Sequence, residues 1–180
     1  MPRSPKPPRE LLGSIRLLVL DVDGTMTDGR LYYGREGEAL KAFDVRDGHG
    51  LRLLRIYGGV KLAALTGRRA DLVLQRCSEL SIDPVVGSSR DKATALRKIC
   101  DDVGIPLSAT AFMGDDVNDL PALRLAALSC APSDAAREVL REVRWVSQRR
   151  AGRGAVRELC EVLLAATVGW PPDEETPRQD

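Results

Sequence analysis

The stretch IRLLVLDVDGT, residues 15–25, decides how this chain folds. Its first six residues form an apolar run interrupted only by Arg16, which is typical of a short strand buried on both faces of a parallel sheet. Asp21 and Asp23 follow at the end of the run, and Gly24 allows the backbone to turn sharply behind them. Because open α/β sheets bind their ligands at the carboxyl ends of the strands, we expect a functional site directly after this strand.

Outward from that strand, short apolar runs alternate with longer segments of helical periodicity. This alternation predicts an α/β fold, a Rossmann-like three-layer sandwich in which helices cover both faces of a mainly parallel sheet. A small β-hairpin is predicted at 29–45, where two alternating runs surround Gly34 and Gly37. The other predicted strands are 60–65, 83–87, 109–113, 128–131 and 144–147, and the predicted helices are 47–57, 69–80, 91–103, 118–126, 133–141 and 153–167.

The two ends of the chain differ in composition from the middle. Residues 1–10 are proline-rich and basic, whereas residues 171–180 are proline-rich and acidic, and neither end has an apolar period. Segments of this kind cannot bury enough apolar surface to offset their conformational entropy. We therefore expect two disordered tails, 1–10 and 171–180, on either side of a single domain at 11–170.

Composition excludes several classes of function. Lysine and arginine (27) nearly balance aspartate and glutamate (26), and aromatic residues make up only 4% of the chain, so neither a basic field nor stacking platforms favour nucleic acid. With one histidine, zinc sites that need two are impossible. The four cysteines form no CxxC pair and no apolar run reaches the length of a membrane helix. We expect a cytoplasmic protein with buried reduced thiols and with neither nucleic acid nor membrane as a partner.

Four polar segments follow predicted strands or open a helix, and together they indicate one site. Each alone is ordinary turn or helix-cap chemistry. Their order and spacing are harder to explain by coincidence, because the fold would bring all four to the same edge of the sheet. The segments are DVDGT (21–25), TGR (66–68), DK (91–92) and GDDVND (114–119).

This combination suggests phosphoryl transfer through an aspartyl-phosphate. A carboxylate at a strand end, here Asp21, can attack phosphorus, and Asp23, two residues on, can lie on the same side and give a proton to the leaving oxygen. Mg²⁺ prefers carboxylate oxygen, which Asp21 and Asp115 would supply. The Thr66 hydroxyl and the Lys92 ammonium would hold the remaining phosphoryl oxygens.

At these four motifs the chain resembles the haloacid dehalogenase superfamily of phosphatases: DVDGT, LTGR, the lysine of RDK and GDDVND match its motifs in order. Two further segments, TDGRLYYGREGEALKAFDVRDGHG (27–50) and AGRGAVRE (151–158), closely resemble the family of 3-deoxy-D-manno-octulosonate 8-phosphate phosphatases. The resemblance covers about residues 15–165. Thr25 is a departure, since many of these phosphatases have valine there.

The resemblance implies a role for each matching residue. Asp21 would be the nucleophile and Asp23 the general acid/base. Mg²⁺ would be bound by the Asp21 carboxylate, the Asp23 carbonyl and Asp115, and phosphate by Thr66 and Lys92. The implied reaction removes the 8-phosphate of an eight-carbon keto-sugar acid, and its product feeds lipopolysaccharide synthesis.

Five further residues are predicted to have supporting roles. Asp116 and Asp119 would orient the phosphate-binding lysine or metal-bound waters. Arg46, Arg68 and Arg153 are candidates for the carboxylate of the sugar acid, since arginine binds carboxylates bidentately, although most arginines in such a chain are solvated surface residues.

The segment between Thr66 and Lys92 has room for one helix and one short strand, but not for a cap domain. A bare site at a strand end is poorly shielded from water. The family forms tetramers whose hairpins pack together and whose C-terminal segments reach a neighbour's site. The resemblance therefore implies a homotetramer with active sites at subunit interfaces.

Three other interpretations remain open at the level of sequence. A phosphatase for a nine-carbon sugar acid 9-phosphate shares the hairpin, the motifs and the assembly. A non-catalytic oligomerisation module of the same fold is disfavoured because the motif residues are all present. A phospho-accepting receiver domain is disfavoured by Asp23, which would catalyse turnover of the phosphoryl group.

Overall fold

The computed structural model describes residues 7–173, which form eight strands and seven helices. The strands are β1 (Leu17–Leu20), β2 (Tyr32–Gly34), β3 (Gly37–Leu40), β4 (Lys61–Leu65), β5 (Val85–Val86), β6 (Thr110–Met113), β7 (Leu128–Ala131) and β8 (Trp145–Val146). The helices are α1 (Arg9–Ser14), α2 (Val45–Gly58), α3 (Asp71–Leu80), α4 (Lys92–Val103), α5 (Leu120–Leu123), α6 (Arg137–Glu142) and α7 (Ala155–Thr167).

The central sheet has six strands in the order β5-β4-β1-β6-β7-β8, and every neighbouring pair is parallel. β1 therefore lies in the middle, with β4 on one side and β6 on the other. Its four residues are all buried, as a strand covered on both faces requires. The predicted α/β fold with a mainly parallel sheet is confirmed.

The alternation of side chains along β1 divides the core into two layers. Leu18 and Leu20 belong to one apolar cluster, which also includes buried residues of α1, α2, α3 and α7. Leu17 and Val19 face the other cluster, which includes buried residues of α4, α5 and α6. Successive strand residues point to opposite faces, so the run of four apolar residues contributes to both layers. This arrangement is the three-layer sandwich that the sequence predicts.

The hairpin lies outside this sandwich. β2 and β3 pair only with each other, in antiparallel register, and leave Tyr33 68% and Leu40 51% exposed. Between Thr66 and Lys92 the chain forms only α3 and β5. The prediction of a small hairpin flap and no cap domain is therefore confirmed. An isolated two-stranded hairpin is marginally stable in water, so contacts elsewhere must hold it.

Two predicted helices are shorter in the structure than their periodicity indicates. The segment predicted at 118–126 forms a 3₁₀ turn, Val117–Asp119, followed by the single turn of α5, because the Asp119 carboxylate binds the backbone just before the turn and tightens it. The helix predicted at 133–141 begins only at Arg137. The amides of Ser133 and Ala136 bond to carbonyls of neighbouring loops instead of forming a helical turn.

Helical structure is present before the predicted domain boundary at residue 11. α1 starts at Arg9, within the predicted basic tail, and Leu12 of this helix is buried in the core. The Arg9 guanidinium donates to the Ala166 carbonyl near the end of α7 at 3.3 Å. Most of the two predicted tails, residues 1–6 and 174–180, lies outside the described residues.

The four cysteines are free and buried, in agreement with the prediction of reduced thiols. Burial raises the pKa of the Cys77 thiol to about 11, so this side chain is protonated and unreactive at neutral pH. Within residues 7–173, no helix has both the length and the apolar character needed to cross a bilayer.

A buried carboxylate on α2 caps the long helix α7. The N-cap of α7 is Gly154, which has no side chain to bind the free amides of the first turn. Asp47 supplies the missing cap from α2: its carboxylate accepts from the Arg157 amide at 2.7 Å and from the Gly154 amide at 3.3 Å. This contact fixes the N-terminal end of α7 against α2 and positions the loop that precedes it.

We predict that Asp47→Ala lowers the free energy of unfolding by about 1–2 kcal/mol, as loss of an N-cap does. Urea denaturation followed by circular dichroism, at one fixed protein concentration, measures the change. Asp101→Ala is the matched control, because this residue is exposed on α4, and it should change the free energy by less than about 0.5 kcal/mol. Equal effects of the two substitutions would show that Asp47 does not cap α7.

Candidate active site

Three loops meet at the carboxyl edge of the sheet centre. Asp21 follows β1, Thr66 follows β4, and Asp115 lies just beyond β6. The Asp21 amide donates to the Met113 carbonyl at 2.9 Å and the Thr66 amide to the Val86 carbonyl at 2.8 Å, so the loops leave from firmly paired strand ends. Because β4 and β6 flank β1, residues widely separated in sequence become neighbours here.

Lys92 reaches this edge from the first position of α4. Asp91 caps the helix, since its carboxylate accepts from the Thr94 amide at 3.1 Å and from the Thr94 hydroxyl at 2.7 Å. The Lys92 side chain is only 2% exposed, and its ammonium donates to Asp21 Oδ1 at 2.5 Å and to Asp119 Oδ1. A single buried lysine thus links the end of β1 to the loop after β6.

Asp119 is buried and has donors at both carboxylate oxygens. Oδ1 accepts from Lys92, and Oδ2 accepts from the amides of Asp115 at 3.0 Å and Asp116 at 3.2 Å. This carboxylate therefore orients the lysine and closes the loop around Asp115. Asp116 itself is exposed and accepts from the Val117 amide at 2.7 Å, so its contact is with the loop's own backbone.

Gly24 allows Asp115 to approach the loop that follows β1. Its φ is +92°, in the left-handed region, and a Cβ placed on it would lie 2.1 Å from Asp115 Oδ2. Any other residue would push this carboxylate away. The Thr25 hydroxyl, at the position where the sequence departs from the resembled family, is buried and lies 3.4 Å from Asp115 Oδ1. The departure is therefore compatible with the site.

The buried cluster has an excess of negative charge. Burial and repulsion from Asp119 raise the pKa of Asp21 well above its usual range, and Lys92 offsets this only in part. Burial and repulsion from Asp119 also raise the pKa of Asp115 to about 7. Burial alone would lower the pKa of Lys92, but attraction to Asp21 and Asp119 outweighs burial, and the pKa is raised. A divalent cation would balance this charge.

The donor set fits Mg²⁺. One carboxylate oxygen from each of Asp21, Asp115 and Asp119 lies within 4.8 Å of the others. Both oxygens of Asp119 already have donors, which leaves Asp21 and Asp115 as the available ligands. Mg²⁺ commonly takes one or two protein carboxylates and keeps several waters, as this pair would allow. Coordination of the metal by the Asp23 carbonyl remains a prediction.

Asp23 has a different environment from Asp21. Its Oδ1 accepts from the ammonium of Lys41 on the hairpin, and its Oδ2 lies 3.4 Å from the Thr66 hydroxyl. Lys41 also donates to Glu38 at 2.6 Å. The sequence analysis missed Lys41 and Glu38, because an exposed hairpin gives no indication of which charged residues turn towards the site. Their opposite charges three residues apart were the only available signal.

The three candidate arginines lie in two places. Arg68 forms an ion pair with Glu38 at 2.8 Å and lines an open cavity of about 490 Å³ with Tyr33 and other residues of the hairpin and α3. Arg46 and Arg153 line a separate groove of about 320 Å³ beside the start of α7. Within one subunit, the structure thus places Arg68 beside the hairpin and groups the other two elsewhere.

Comparison with known proteins agrees with this geometry. Residues 62–159 match the family model of haloacid dehalogenase-like hydrolases. The chain is 40% identical to the 3-deoxy-D-manno-octulosonate 8-phosphate phosphatase of Escherichia coli K12 over 153 residues, which cover 85% of this chain and 81% of that protein.

Solved structures lead to the same group. The phosphatase of that name from Yersinia pestis superposes with a TM-score of 0.84 at 39% identity, covering 88% of this chain and 85% of that one. The Moraxella catarrhalis enzyme, solved with magnesium, phosphate and KDO, also gives a TM-score of 0.84, at 37% identity, with 88% and 91% covered. The chain belongs to the haloacid dehalogenase-like hydrolases and, within them, to the family of 3-deoxy-D-manno-octulosonate 8-phosphate phosphatases.

Proposed function

We propose that this chain is a Mg²⁺-dependent phosphatase that hydrolyses 3-deoxy-D-manno-octulosonate 8-phosphate to the free sugar acid and phosphate. The observation that carries this proposal is the buried carboxylate of Asp21 at the end of the central strand, with the Lys92 ammonium 2.5 Å away and Asp115 beside it. The substrate comes from the relatives at 40% identity, whose names state that activity. Its product would enter lipopolysaccharide synthesis.

In the first half of the reaction, an Asp21 oxygen attacks phosphorus and the ester bond to the sugar oxygen breaks. Asp23 gives its proton to that leaving oxygen, which departs as the free hydroxyl. Lys92 and the Thr66 hydroxyl neutralise and hold the phosphoryl oxygens, and Lys92 also keeps the nucleophile in place. The product of this half is an aspartyl-phosphate at Asp21.

In the second half, water attacks the phosphorus of the aspartyl-phosphate and the acyl-phosphate bond breaks. Asp23, now ionised, takes a proton from that water, and phosphate leaves. Asp21 is restored as a carboxylate and Asp23 as an acid, so the cycle closes without a further reactant. Bound at Asp21 and Asp115, Mg²⁺ would reduce the repulsion between the anionic nucleophile and the phosphate.

The arginines belong to the recognition of the sugar acid. Arg68, which lines the hairpin cavity, would bind the carboxylate of a substrate whose phosphate lies at Asp21. Arg46 and Arg153, in the second groove, would take part if the C-terminal segment of one subunit reaches the site of its neighbour. The reaction belongs in the cytoplasm, which the four reduced thiols support, since disulfides are rare in reducing compartments.

A homotetramer would cover the hairpin. Leu31, Tyr32, Tyr33 and Leu40 are each at least 39% exposed in the single chain, which is unusual for large apolar side chains grouped on one small element. Packing of hairpins from neighbouring subunits would bury this surface and exclude water from the active sites.

The assembly is testable by light scattering after gel filtration. We expect a mass four times that of the 19.6 kDa chain, and we expect Tyr33→Glu to produce smaller species because it places a charge in the apolar contact. Glu36→Gln, at the exposed hairpin turn, is the control and should remain tetrameric. A monomeric wild-type chain at micromolar concentration would refute the proposed assembly.

The substrate is testable by phosphate release from a small panel: octulosonate 8-phosphate, a nine-carbon sugar acid 9-phosphate, glucose 6-phosphate and an aryl phosphate. We predict a kcat/KM for the eight-carbon substrate at least ~100-fold above the others, which corresponds to about 2.7 kcal/mol of transition-state discrimination. A preference for the nine-carbon substrate would show that the chain is a phosphatase for that sugar acid instead. Absence of activity on all four substrates would favour a non-catalytic module.

Asp21→Asn serves as the chemical control in the same assay. Asparagine has nearly the same shape but is a poor nucleophile, so we expect kcat to fall by roughly a thousandfold or more. Asp102→Asn, at an exposed position on α4, should leave kcat unchanged. Wild-type turnover in the Asp21 variant would exclude an aspartyl-phosphate at this residue.

Mg²⁺ binding should strengthen with pH. The metal binds ionised carboxylates, and in the metal-free site the pKa of Asp115 is raised to about 7, so protons compete with the metal below that value. From pH 6 to pH 8 the ionised fraction of such a group rises about tenfold, and titration calorimetry should report a corresponding tenfold gain in affinity. Asp115→Asn should weaken binding and reduce this dependence, leaving the part that Asp21 contributes, since the pKa of Asp21 is also raised. Equal affinity at both pH values in the wild type would remove Asp115 from the ligand set.

A further inference from the structure

A buried lysine joins the exposed hairpin to the active site. Lys41 follows β3, and although much of the hairpin is in solvent, the Lys41 side chain is only 1% exposed. Its ammonium donates to Asp23 Oδ1 and, at 2.6 Å, to Glu38 Oε1. The other oxygen of Glu38 accepts from Arg68 at 2.8 Å. A chain of alternating charges therefore runs from the loop after β1, through the hairpin, to the loop after β4.

Within this chain, Lys41 is the strong partner of the Asp23 carboxylate. The remaining side-chain contact of Asp23, with the Thr66 hydroxyl, is long at 3.4 Å. A charge-assisted hydrogen bond is about twice as strong as a neutral one and sets the direction of the carboxylate more firmly. Asp23 has no such partner from the sheet itself among the described residues, so the hairpin determines where its oxygens lie.

The geometry points to a positioning role for Lys41: from the hairpin, it holds the Asp23 carboxylate in the orientation that takes the proton from the hydrolytic water. This inference rests on the proposed function, in which Asp23 acts on water in the second half of the reaction. The second oxygen of the Asp23 carboxylate has only the long contact of 3.4 Å with the Thr66 hydroxyl, which leaves it able to accept from the water.

The alternative is that Lys41 only fastens the hairpin to the domain. The two roles differ in which half-reaction they affect. An aryl phosphate has a leaving group that departs without a proton, so the first half needs little from Asp23, whereas the second half always needs a base. If Lys41 orients Asp23, its loss should slow only the second half of the reaction. If Lys41 only fastens the hairpin, its loss should slow both halves or weaken substrate binding.

The experiment is stopped-flow measurement of nitrophenolate release from p-nitrophenyl phosphate, with Mg²⁺ and full-length protein. Lys41→Met has a similar length without the charge. We expect a burst of about one equivalent per site, at least as fast as the wild-type kcat, followed by a steady-state rate lowered roughly 100-fold, within the range that a general base contributes. Lys41→Arg, which keeps the charge, should restore much of the steady-state rate.

Two further variants separate orientation from packing. Glu38→Gln keeps the bond between Lys41 and Asp23 but removes both ion pairs of Glu38, with Lys41 and with Arg68, so it should show no burst. Lys98→Met, an exposed lysine on α4, should behave as wild type. If Lys41→Met does not fold, Lys41→Gln takes its place, and melting temperatures identify folded variants.

The outcomes are distinct. The inference is overturned if the burst rate and the steady-state rate of Lys41→Met fall together, or if neither falls. It is also overturned if Glu38→Gln shows a burst as large as that of Lys41→Met. If the wild type releases no nitrophenolate at all, the proposed phosphatase activity fails and the inference fails with it. If it turns over the aryl phosphate but not the octulosonate 8-phosphate, only the substrate assignment fails.

Discussion

The site depends on the ion cluster in which Lys92 lies between Asp21 and Asp119. It joins β1, α4 and the loop after β6, three elements that are distant in sequence. A buried charge is stable only when paired, and removal of one partner from such a pair costs about 3–5 kcal/mol. The cluster therefore fixes the carboxylate of Asp21, the proposed nucleophile, and closes the surrounding loops at once. Gly24 also helps to bring these loops together, because only a residue without a Cβ leaves room for the Asp115 carboxylate beside it.

The two carboxylates of the DVDGT motif have opposite environments, and this difference supports the separate roles that we propose for them. Asp21 is buried with other carboxylates, which raise its pKa and favour the binding of a cation. Asp23 lies at the rim, with 19% of its side chain exposed, where Lys41 and Thr66 hold it and where solvent has access. Such contrasts between neighbouring acids commonly separate a nucleophile from a proton carrier. The hairpin thus contacts one of the two carboxylates directly, through Lys41.

Most of the fold and the centre of the site could be predicted from sequence because they depend on local patterns. The run before Asp21 indicates a buried central strand, and parallel neighbours then bring Thr66 and Asp115 to the same edge. The sequence could not indicate Lys41 or the capping of α7 by Asp47, because both depend on how separate elements pack. The predicted helices after Asp116 and after Pro132 were too long, because backbone amides there donate to acceptors outside the helix. In the proposed tetramer, the arrangement of Arg46, Arg68 and Arg153 around the substrate would depend on neighbouring subunits, which a single chain does not contain.

The proposed mechanism requires Asp21 to carry the phosphoryl group during turnover. Rapid acid quench of the Mg²⁺-bound enzyme with its substrate, followed by borohydride reduction and peptide mass spectrometry, tests it directly. Borohydride reduces an aspartyl-phosphate to homoserine, so the account predicts homoserine at position 21 in the presence of substrate and none without it. Phosphate release at the normal rate with Asp21 unmodified, or with homoserine at position 23 or 115, would contradict the account.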